Sequence, residues 1–254
     1  MRKKAETEVK VKSLQKALDI LGCFVEKQPL GVSEISEKLG LYKSNVHSIL
    51  MTFKAMDYLE QDPETGKFRL GTAVFALSRA LRENLDITKI ALPYMKEIAQ
   101  EAGELVYLTI PRGDEVVYLE TVYPDEKTLG SRTVTGERAK LYCTSVGKAI
   151  LARMKNEEIE ELLDDELEAF TENTITDKKK LREEIEQIRV KGYGVDNMEL
   201  LYGIKCVGVA LMNHKGQVEA GLSVSAPSLR MGDEKIQNIA NILKRYAREI
   251  EKRL

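Results

Sequence analysis

The sequence has few of the features that mark membrane or secreted proteins. No apolar run approaches the roughly 18 residues that a membrane span needs. The charged start, which includes Arg2, Lys3 and Lys4, lacks the apolar core of a signal peptide. From the sequence alone we expect a cytoplasmic protein with no membrane partner.

Cysteine and histidine are also scarce. The three cysteines, Cys23, Cys143 and Cys206, are odd in number and far apart, so the sequence predicts neither a disulfide framework nor a CxxC metal site. The two histidines are His47 in a predicted helix and His214 in a predicted turn. A thiol nucleophile usually needs a nearby histidine. We therefore predict no catalytic residue, no metal and no cofactor.

Excess charge is absent as well, because the formal net charge is only −2. This value argues against a protein whose whole surface binds nucleic acid. The charge is unevenly divided, however: residues 1–70 carry a net charge of +2, and residues 71–254 carry −4. A mildly basic N-terminal part fits a DNA-binding domain, although the basic N-terminal arm has the same composition as a disordered solubilising tail.

The segment from Gly31 to Leu50 has the pattern of two short amphipathic helices joined by a tight turn. Ser33 is expected to cap the first helix, and Gly40 is expected to end it. A second helix is predicted over residues 43–57, with an apolar stripe on its inner face at positions 46, 49, 50 and 53. The pattern predicts a helix-turn-helix.

The outer face of this second helix is small and polar. Such side chains donate and accept hydrogen bonds close to base edges, and a lysine reaches phosphate. An ordinary solvated polar face is the alternative. The DNA-binding residues predicted on this helix are Lys43, Ser44, Asn45, His47, Ser48 and Thr52.

The flanking segments complete a winged helix-turn-helix over residues 1–71. Upstream, a helix is predicted to start at a Ser13 cap. Downstream, residues 58–71 contain two strand-like runs around turn-forming residues, which predicts a hairpin wing. Lys67 and Arg69 share one side of its second strand and are predicted to contact the DNA backbone or minor groove, unless they are two solvated charges.

A linker helix is predicted over residues 72–85, followed by a second domain over residues 86–254. The linker has apolar residues at helical spacing, which need a partner. We expect this partner to be a second copy of the chain, because symmetric operators are bound by symmetric dimers. In the second domain, hairpins at residues 105–122 and 206–227 alternate with helices, so the overall fold class is α+β.

Five strings in the right order make the chain resemble the IclR family of bacterial transcriptional regulators. These strings are YKSNVHSIL, FRLG, SVGKAILA, GYGVDNMELLYGIKCVGVAL and GLSVSAP. The resemblance covers nearly the whole chain. It implies an N-terminal domain that binds double-stranded operator DNA and a GAF-like C-terminal domain that binds a small effector, in homodimers that often pair into tetramers.

The resemblance also implies an effector site in the C-terminal domain. By position, its residues are Leu129, Ser145, Val146, Asp196, Ile204, Cys206, Ser223 and Ser225. The alternation of side chains along a strand supports part of this site, because it places Ser223 and Ser225 on the same face. Amides at a helix start, together with hydroxyls, suit a small organic acid. The alternative is that Ser145 is only a helix cap and that the two other serines lie on a solvated face.

Two features bear on the identity of the effector. Asp196 would repel an anion unless a hydroxyl or a water stood between them, or it accepts a hydrogen bond from a ligand hydroxyl. Tyr142, Cys143 and Thr144 stand where many family members carry small residues, so we expect a differently shaped pocket wall in this chain.

Two other hypotheses concern the C-terminal domain. It could be an assembly module without a ligand, which the sequence does not exclude. It could also be an enzyme with Cys143 as nucleophile or with a phosphate loop at Gly147 and Lys148. A P-loop needs an earlier glycine where Tyr142 stands, and a serine or threonine where Ala149 stands. The sequence therefore favours a regulator over an enzyme, and we expect the regulator to be a repressor.

Overall fold

The computed structural model describes residues 9–125 and 134–254, which form two compact units divided between Leu85 and Asp86. The described elements of the N-terminal unit are α1 (Lys12–Glu26), α2 (Val32–Leu39), α3 (Lys43–Ala55), β1 (Leu59–Gln61), β2 (Phe68–Leu70) and α4 (Ala73–Glu83). None of the described helices of either unit is long and apolar enough to cross a membrane.

The N-terminal unit is a winged helix-turn-helix, as the sequence predicts. Apolar residues from α1, α2, α3 and both strands form its core, including Phe24, Ile35, Leu50 and Phe68. Gly40 ends α2 in the left-handed conformation, at φ 64°, which favours glycine. β1 and β2 pair antiparallel to form the wing.

Two expected helix caps are wrong. α2 begins at Val32, so Ser33 lies in its first turn, and the Glu34 carboxylate accepts the Gly31 amide at 2.9 Å. Because Glu34 satisfies an amide at the helix start, a serine cap is not needed there. Ser13 likewise lies inside α1, whose cap position is Val11.

The C-terminal unit contains the larger sheet and the other described helices. The helices are α5 (Asp86–Ala102), α6 (Ser145–Leu151), α7 (Asn156–Leu162), α8 (Lys178–Lys191) and α9 (Asp233–Glu251). The strands are β3 (Leu105–Arg112), β4 (Glu115–Val122), β5 (Arg138–Lys140), β6 (Gly194–Asn197), β7 (Ile204–Met212) and β8 (Val218–Pro227).

The sheet has the order β5-β4-β3-β8-β7-β6, and every neighbouring pair is antiparallel. Apolar side chains of α5 and α9 pack on one face of the sheet, with Leu108, Val209 and Leu222 among the buried strand residues. A second core, which includes Val146, Ile185 and residues of α7, covers part of the other face. This arrangement confirms the predicted α+β class.

Candidate DNA-binding face and effector pocket

The outer face of α3 is free of the core. Val46 and Leu50 are buried, whereas all six residues predicted to contact DNA on this helix are exposed. The Ser48 and Thr52 hydroxyls donate to the carbonyl oxygens of Ser44 and Ser48, at 3.0 and 2.9 Å. Each hydroxyl oxygen still has a lone pair for a donor outside the helix. The face therefore retains hydrogen-bonding capacity for base edges or phosphates.

Tyr42 at the start of α3 is a candidate that sequence reasoning missed. Its side chain is 82% exposed, and its carbonyl oxygen accepts the amides of Asn45 and Val46. It occupies the cap position, where short polar residues are the usual choice, and its side chain makes no capping hydrogen bond. The sequence signal for Tyr42 is a bulky aromatic residue at a helix cap position, directly before the predicted recognition helix.

The two predicted wing cations both have partners within the protein. Lys67 Nζ lies 3.0 Å from Glu34 Oε2, and Arg69 donates from Nε and Nη2 to Glu60 Oε2, at 3.1 and 2.9 Å. The pairing is built into the register, because Glu60 stands directly opposite Arg69. A contact of Arg69 with phosphate would have to share or break this ion pair.

In the C-terminal unit, polar residues form a row across the sheet face that α6 covers. Asp196 on β6 stands opposite Cys206 on β7, and Cys206 stands opposite Ser225 on β8. The Cys206 thiol donates to Ser225 Oγ at 3.3 Å. Ser223, two residues along β8, is on the same face and is buried as well. The alternative of a solvated serine face is therefore wrong.

A parallel row lies one step along the strands. Ser223 stands opposite Gly208 on one side and Tyr107 on the other, and Tyr107 stands opposite Thr121. Thr121 Oγ1 is buried and has no hydrogen-bond partner among the described residues. An unsatisfied buried hydroxyl is costly, and a bound ligand is one way to satisfy it.

Three glycines bring the start of α6 against this face. A Cβ atom on Gly208 would lie 2.5 Å from the Val146 amide nitrogen, and one on Gly194 would lie 2.3 Å from the Ser145 carbonyl oxygen. A Cβ atom on Gly221 would lie 2.2 Å from Val146 Cγ2. The helix start therefore rests on the strand backbones, next to Ser223.

Thr144, rather than Ser145, caps α6. Its Oγ1 accepts the Gly147 amide at 3.1 Å and donates to the Lys140 carbonyl oxygen, also at 3.1 Å. The alternative that Ser145 serves only as a cap is therefore wrong, and its buried hydroxyl needs another explanation.

A buried ionic network lies beside the polar row. Lys148 of α6 is 1% exposed, and its Nζ lies 2.5 Å from Oε1 of Glu199, which is 3% exposed. The Glu199 amide donates to Asp196 Oδ1 at 2.6 Å. Burial raises the pKa of Asp196 to about 7, and it raises the pKa of Glu199 although Lys148 opposes that rise.

Two tyrosines border the row on the β3–β4 side. The rings of Tyr107 and Tyr118 meet edge to face, with their centroids 5.3 Å apart. Burial raises the pKa of Tyr107 to about 12 and also raises that of Tyr118, so both phenols stay neutral and able to donate. The sequence does not predict these two tyrosines as site residues, because no local pattern distinguishes a tyrosine in a binding site from any other tyrosine in a strand.

The thiols of this region are poor nucleophiles. Burial, with a contribution from the Asp196 charge, raises the pKa of Cys143 to about 12 and also raises the pKa of Cys206. No cluster of three or more potential metal ligands occurs within residues 9–125 and 134–254.

The structure thus brings together six of the eight predicted effector residues. Ile204 is the first residue of β7 and is only partly buried. Alternation along the strand places its side chain on the same face as that of Cys206, which follows two residues later. Leu129 lies outside the described residues.

Comparisons with known proteins bear on both units. Residues 13–63 match the IclR helix-turn-helix domain, and residues 79–252 match the domain described as bacterial transcriptional regulator IclR C-terminal. The HTH-type transcriptional regulator BhcR of Paracoccus denitrificans is 32% identical over 247 residues, which cover 97% of this chain and 88% of BhcR.

Two further relatives are informative. The HTH-type transcriptional repressor AllR of Escherichia coli K12 is 30% identical over 220 residues, which cover 86% of this chain and 81% of AllR. The crystal structure of an IclR homologue from Microbacterium hydrocarbonoxydans, complexed with 4-hydroxybenzoate, superposes with a TM-score of 0.78 at 25% identity. That match covers 94% of this chain and 98% of the homologue.

The names of these relatives describe regulators of transcription and not enzymes. Two domain matches cover both units, and a relative above 30% identity spans nearly the whole chain. The chain belongs to the IclR family of bacterial transcriptional regulators and has its DNA-binding helix-turn-helix.

Proposed function

We propose that this regulator is a repressor whose affinity for operator DNA is controlled by a small organic acid. The effector would lie against the polar rows of the sheet, next to the start of α6. The observation that carries this proposal is the burial of Ser145, Ser223 and Ser225 on one side of the C-terminal core. The repressor named AllR and the 4-hydroxybenzoate complex of another homologue lend support by analogy.

The chemistry of the region favours a polar ligand over a purely apolar one. Hydroxyl groups are buried there at a cost, and Thr121 Oγ1 lacks a partner within the described residues. Neutral phenols at Tyr107 and Tyr118 add two possible donors and an aromatic wall. An acid with a small carbon skeleton or ring matches this mixture of donors and apolar surface.

We also propose that the protein acts as a homodimer formed in part by α4, with tetramers as a further assembly. Phe75, Leu77 and Leu81 of this helix are exposed, and such a run of large apolar side chains favours a partner surface. A dimer would present two copies of α3 to the half-sites of a palindromic operator. The acid would favour one spacing of the two α3 helices over the other, which is a two-state mechanism.

The first test is a thermal-shift screen of small organic acids, with 4-hydroxybenzoate among them, using the purified full chain. Ligand at about 100 times its dissociation constant adds roughly 2.7 kcal/mol of stability, which is visible as a higher Tm. Ser225→Ala should weaken the response, while Ser228→Ala, outside the sheet face, should not. A chain that responds to no acid would support the alternative that this domain is only an assembly module.

The second test measures coupling. An acid that raises the Tm should change operator affinity, and operator DNA should change the affinity for the acid by the same factor. An acid that binds while operator affinity stays constant would contradict the proposed control.

A further inference from the structure

The buried network of the C-terminal unit contains more acid than base. Within this network, Lys148 supplies a buried cation, and Glu199 and Asp196, each 3% exposed, supply two buried carboxyl groups. Lys148 Nζ lies 2.5 Å from Glu199 Oε1 and 3.7 Å from Oε1 of the more exposed Glu184. The single buried ammonium is therefore already shared between two carboxylates.

Asp196 has no cation of its own within the part of the chain that the structure describes. No lysine, arginine or histidine nitrogen there comes within 4.0 Å of its carboxylate oxygens, and its hydrogen bonds come from backbone amides at Glu199 and Leu200. Glu199 Oε2 is buried and lacks a hydrogen-bond partner among the described residues. The network is thus short of one positive charge and one donor.

The titratable groups that face Asp196 from other elements do not supply that charge. They are the Cys206 thiol on β7, the Cys143 thiol before α6, the Tyr118 phenol on β4 and the Lys148 ammonium on α6. Burial keeps the two thiols and the phenol neutral. A buried carboxylate without a cation is costly, and gaining a proton is the simplest way to remove its charge.

We propose that Asp196 is a proton-binding site of the C-terminal unit and carries a proton near neutral pH, so that the polar row holds an uncharged carboxyl. A protonated Asp196 also adds a hydrogen-bond donor to this buried network. Burial raises the pKa of Asp196 to about 7, in agreement with this geometry.

The proton would make the proposed effector pocket sensitive to pH, a consequence that rests on the proposed function. An organic acid seated beside Cys206 and Ser225 would meet a neutral carboxyl below the pKa of Asp196 and a repelling carboxylate above it. Its affinity would then fall as the pH rises, by at most about tenfold per pH unit for one proton.

Infrared spectroscopy of the full chain without any ligand tests the proton site. Protonated and ionised carboxyl groups absorb at different frequencies, and exposed carboxyl groups are ionised well below pH 6. In a titration from about pH 5 to about pH 9, we expect one carboxylic-acid band that persists above pH 6 and disappears with a midpoint near 7. Labelling aspartate with ¹³C at the carboxyl carbon should shift this band, which distinguishes Asp196 from Glu199 without a mutation.

Two variants sharpen the assignment. Asp196→Asn should abolish the band, whereas Asp165→Asn, at a fully exposed carboxylate, should leave it unchanged. The absence of an acid band above pH 6 in the wild-type protein, or a band that aspartate labelling does not shift, would overturn the proposal. Because the spectrum needs neither effector nor DNA, its failure would leave the proposed regulatory function standing.

Discussion

Replacing Lys148 with methionine should destabilise the C-terminal unit by about 3–5 kcal/mol near pH 8. The lysine side chain is 1% exposed, and methionine has a similar length, so little of this cost comes from a cavity. The cost arises because the buried Glu199 carboxylate loses the ammonium at 2.5 Å. Asp196 and Glu184 would then add repulsion that the lysine now offsets.

A double variant separates the lost charge pair from a general packing defect. In Lys148→Met/Glu199→Gln, no unpaired charge remains at either position, so most of the lost stability should return. If packing were the cause, the second change would recover nothing, and the two costs would add.

The sign of the pH dependence follows from Glu199. Burial already raises its pKa, and removing Lys148 takes away the main opposing influence. A carboxyl whose pKa is higher in the folded state than in the unfolded state stabilises the fold at low pH, and this contribution is lost as the pH rises. The Lys148→Met defect should therefore be smaller at pH 6 than at pH 8.

Urea denaturation followed by near-ultraviolet circular dichroism is a suitable assay. Eight of the ten tyrosines lie after residue 85, so the tyrosine signal reports mainly the C-terminal unit. Lys252→Met, at an exposed lysine paired with Glu249, is the matched control and should change stability by less than about 0.5 kcal/mol. A Lys148→Met protein as stable as this control would refute the argument.

Three further predictions concern single side chains. Arg69→Ala should weaken binding to all DNA sequences alike and reduce the salt dependence of binding by about one phosphate per subunit. Glu60→Gln should tighten binding, because it frees Arg69 from its ion pair. Equal effects of the two variants on DNA affinity in an anisotropy titration would contradict this prediction. Tyr42→Ala should lower operator affinity without changing the Tm, because the side chain is 82% exposed, and unchanged affinity would remove Tyr42 from the interface. Gly208→Ala should cost about 1–3 kcal/mol, seen as a lower Tm, because its Cβ would lie 2.5 Å from the Val146 nitrogen; an unchanged Tm would contradict that packing.

Local periodicity was enough to predict the N-terminal unit. The inner stripe of α3 and its polar outer face follow from a 3.6-residue repeat, which correctly predicts that Val46 is buried and Ser48 is exposed. The caps were harder to predict, because Glu34 supplies from inside α2 an interaction that was expected from Ser33. The sequence locates Lys67 and Arg69 in the wing, and their contact with DNA stays a prediction. Their partners inside the protein follow from the cross-strand register and from α2, which local patterns do not show.

The C-terminal unit shows where sequence reasoning stops. Its hairpins and helices were predicted from turns and apolar spacing, but β5 and β6 were missed because strands of three and four residues have too little alternation to detect. The network of Lys148 and Glu199 joins residues 51 positions apart. Lys148 lies on α6, which packs closely against Gly194, Gly208 and Gly221, and no local pattern encodes these long-range contacts.

Capture of genomic DNA fragments by the purified protein, followed by sequencing, tests the central claim most directly, with wild type beside Ser48→Glu and the exposed-site control Asp165→Asn. Ser48 is exposed on α3, so a glutamate there should repel phosphate without unfolding the protein. We predict that wild type and the control enrich the same upstream region containing a palindrome, and that Ser48→Glu enriches none. Equal enrichment by Ser48→Glu would contradict the assignment of α3 as the DNA-recognition helix.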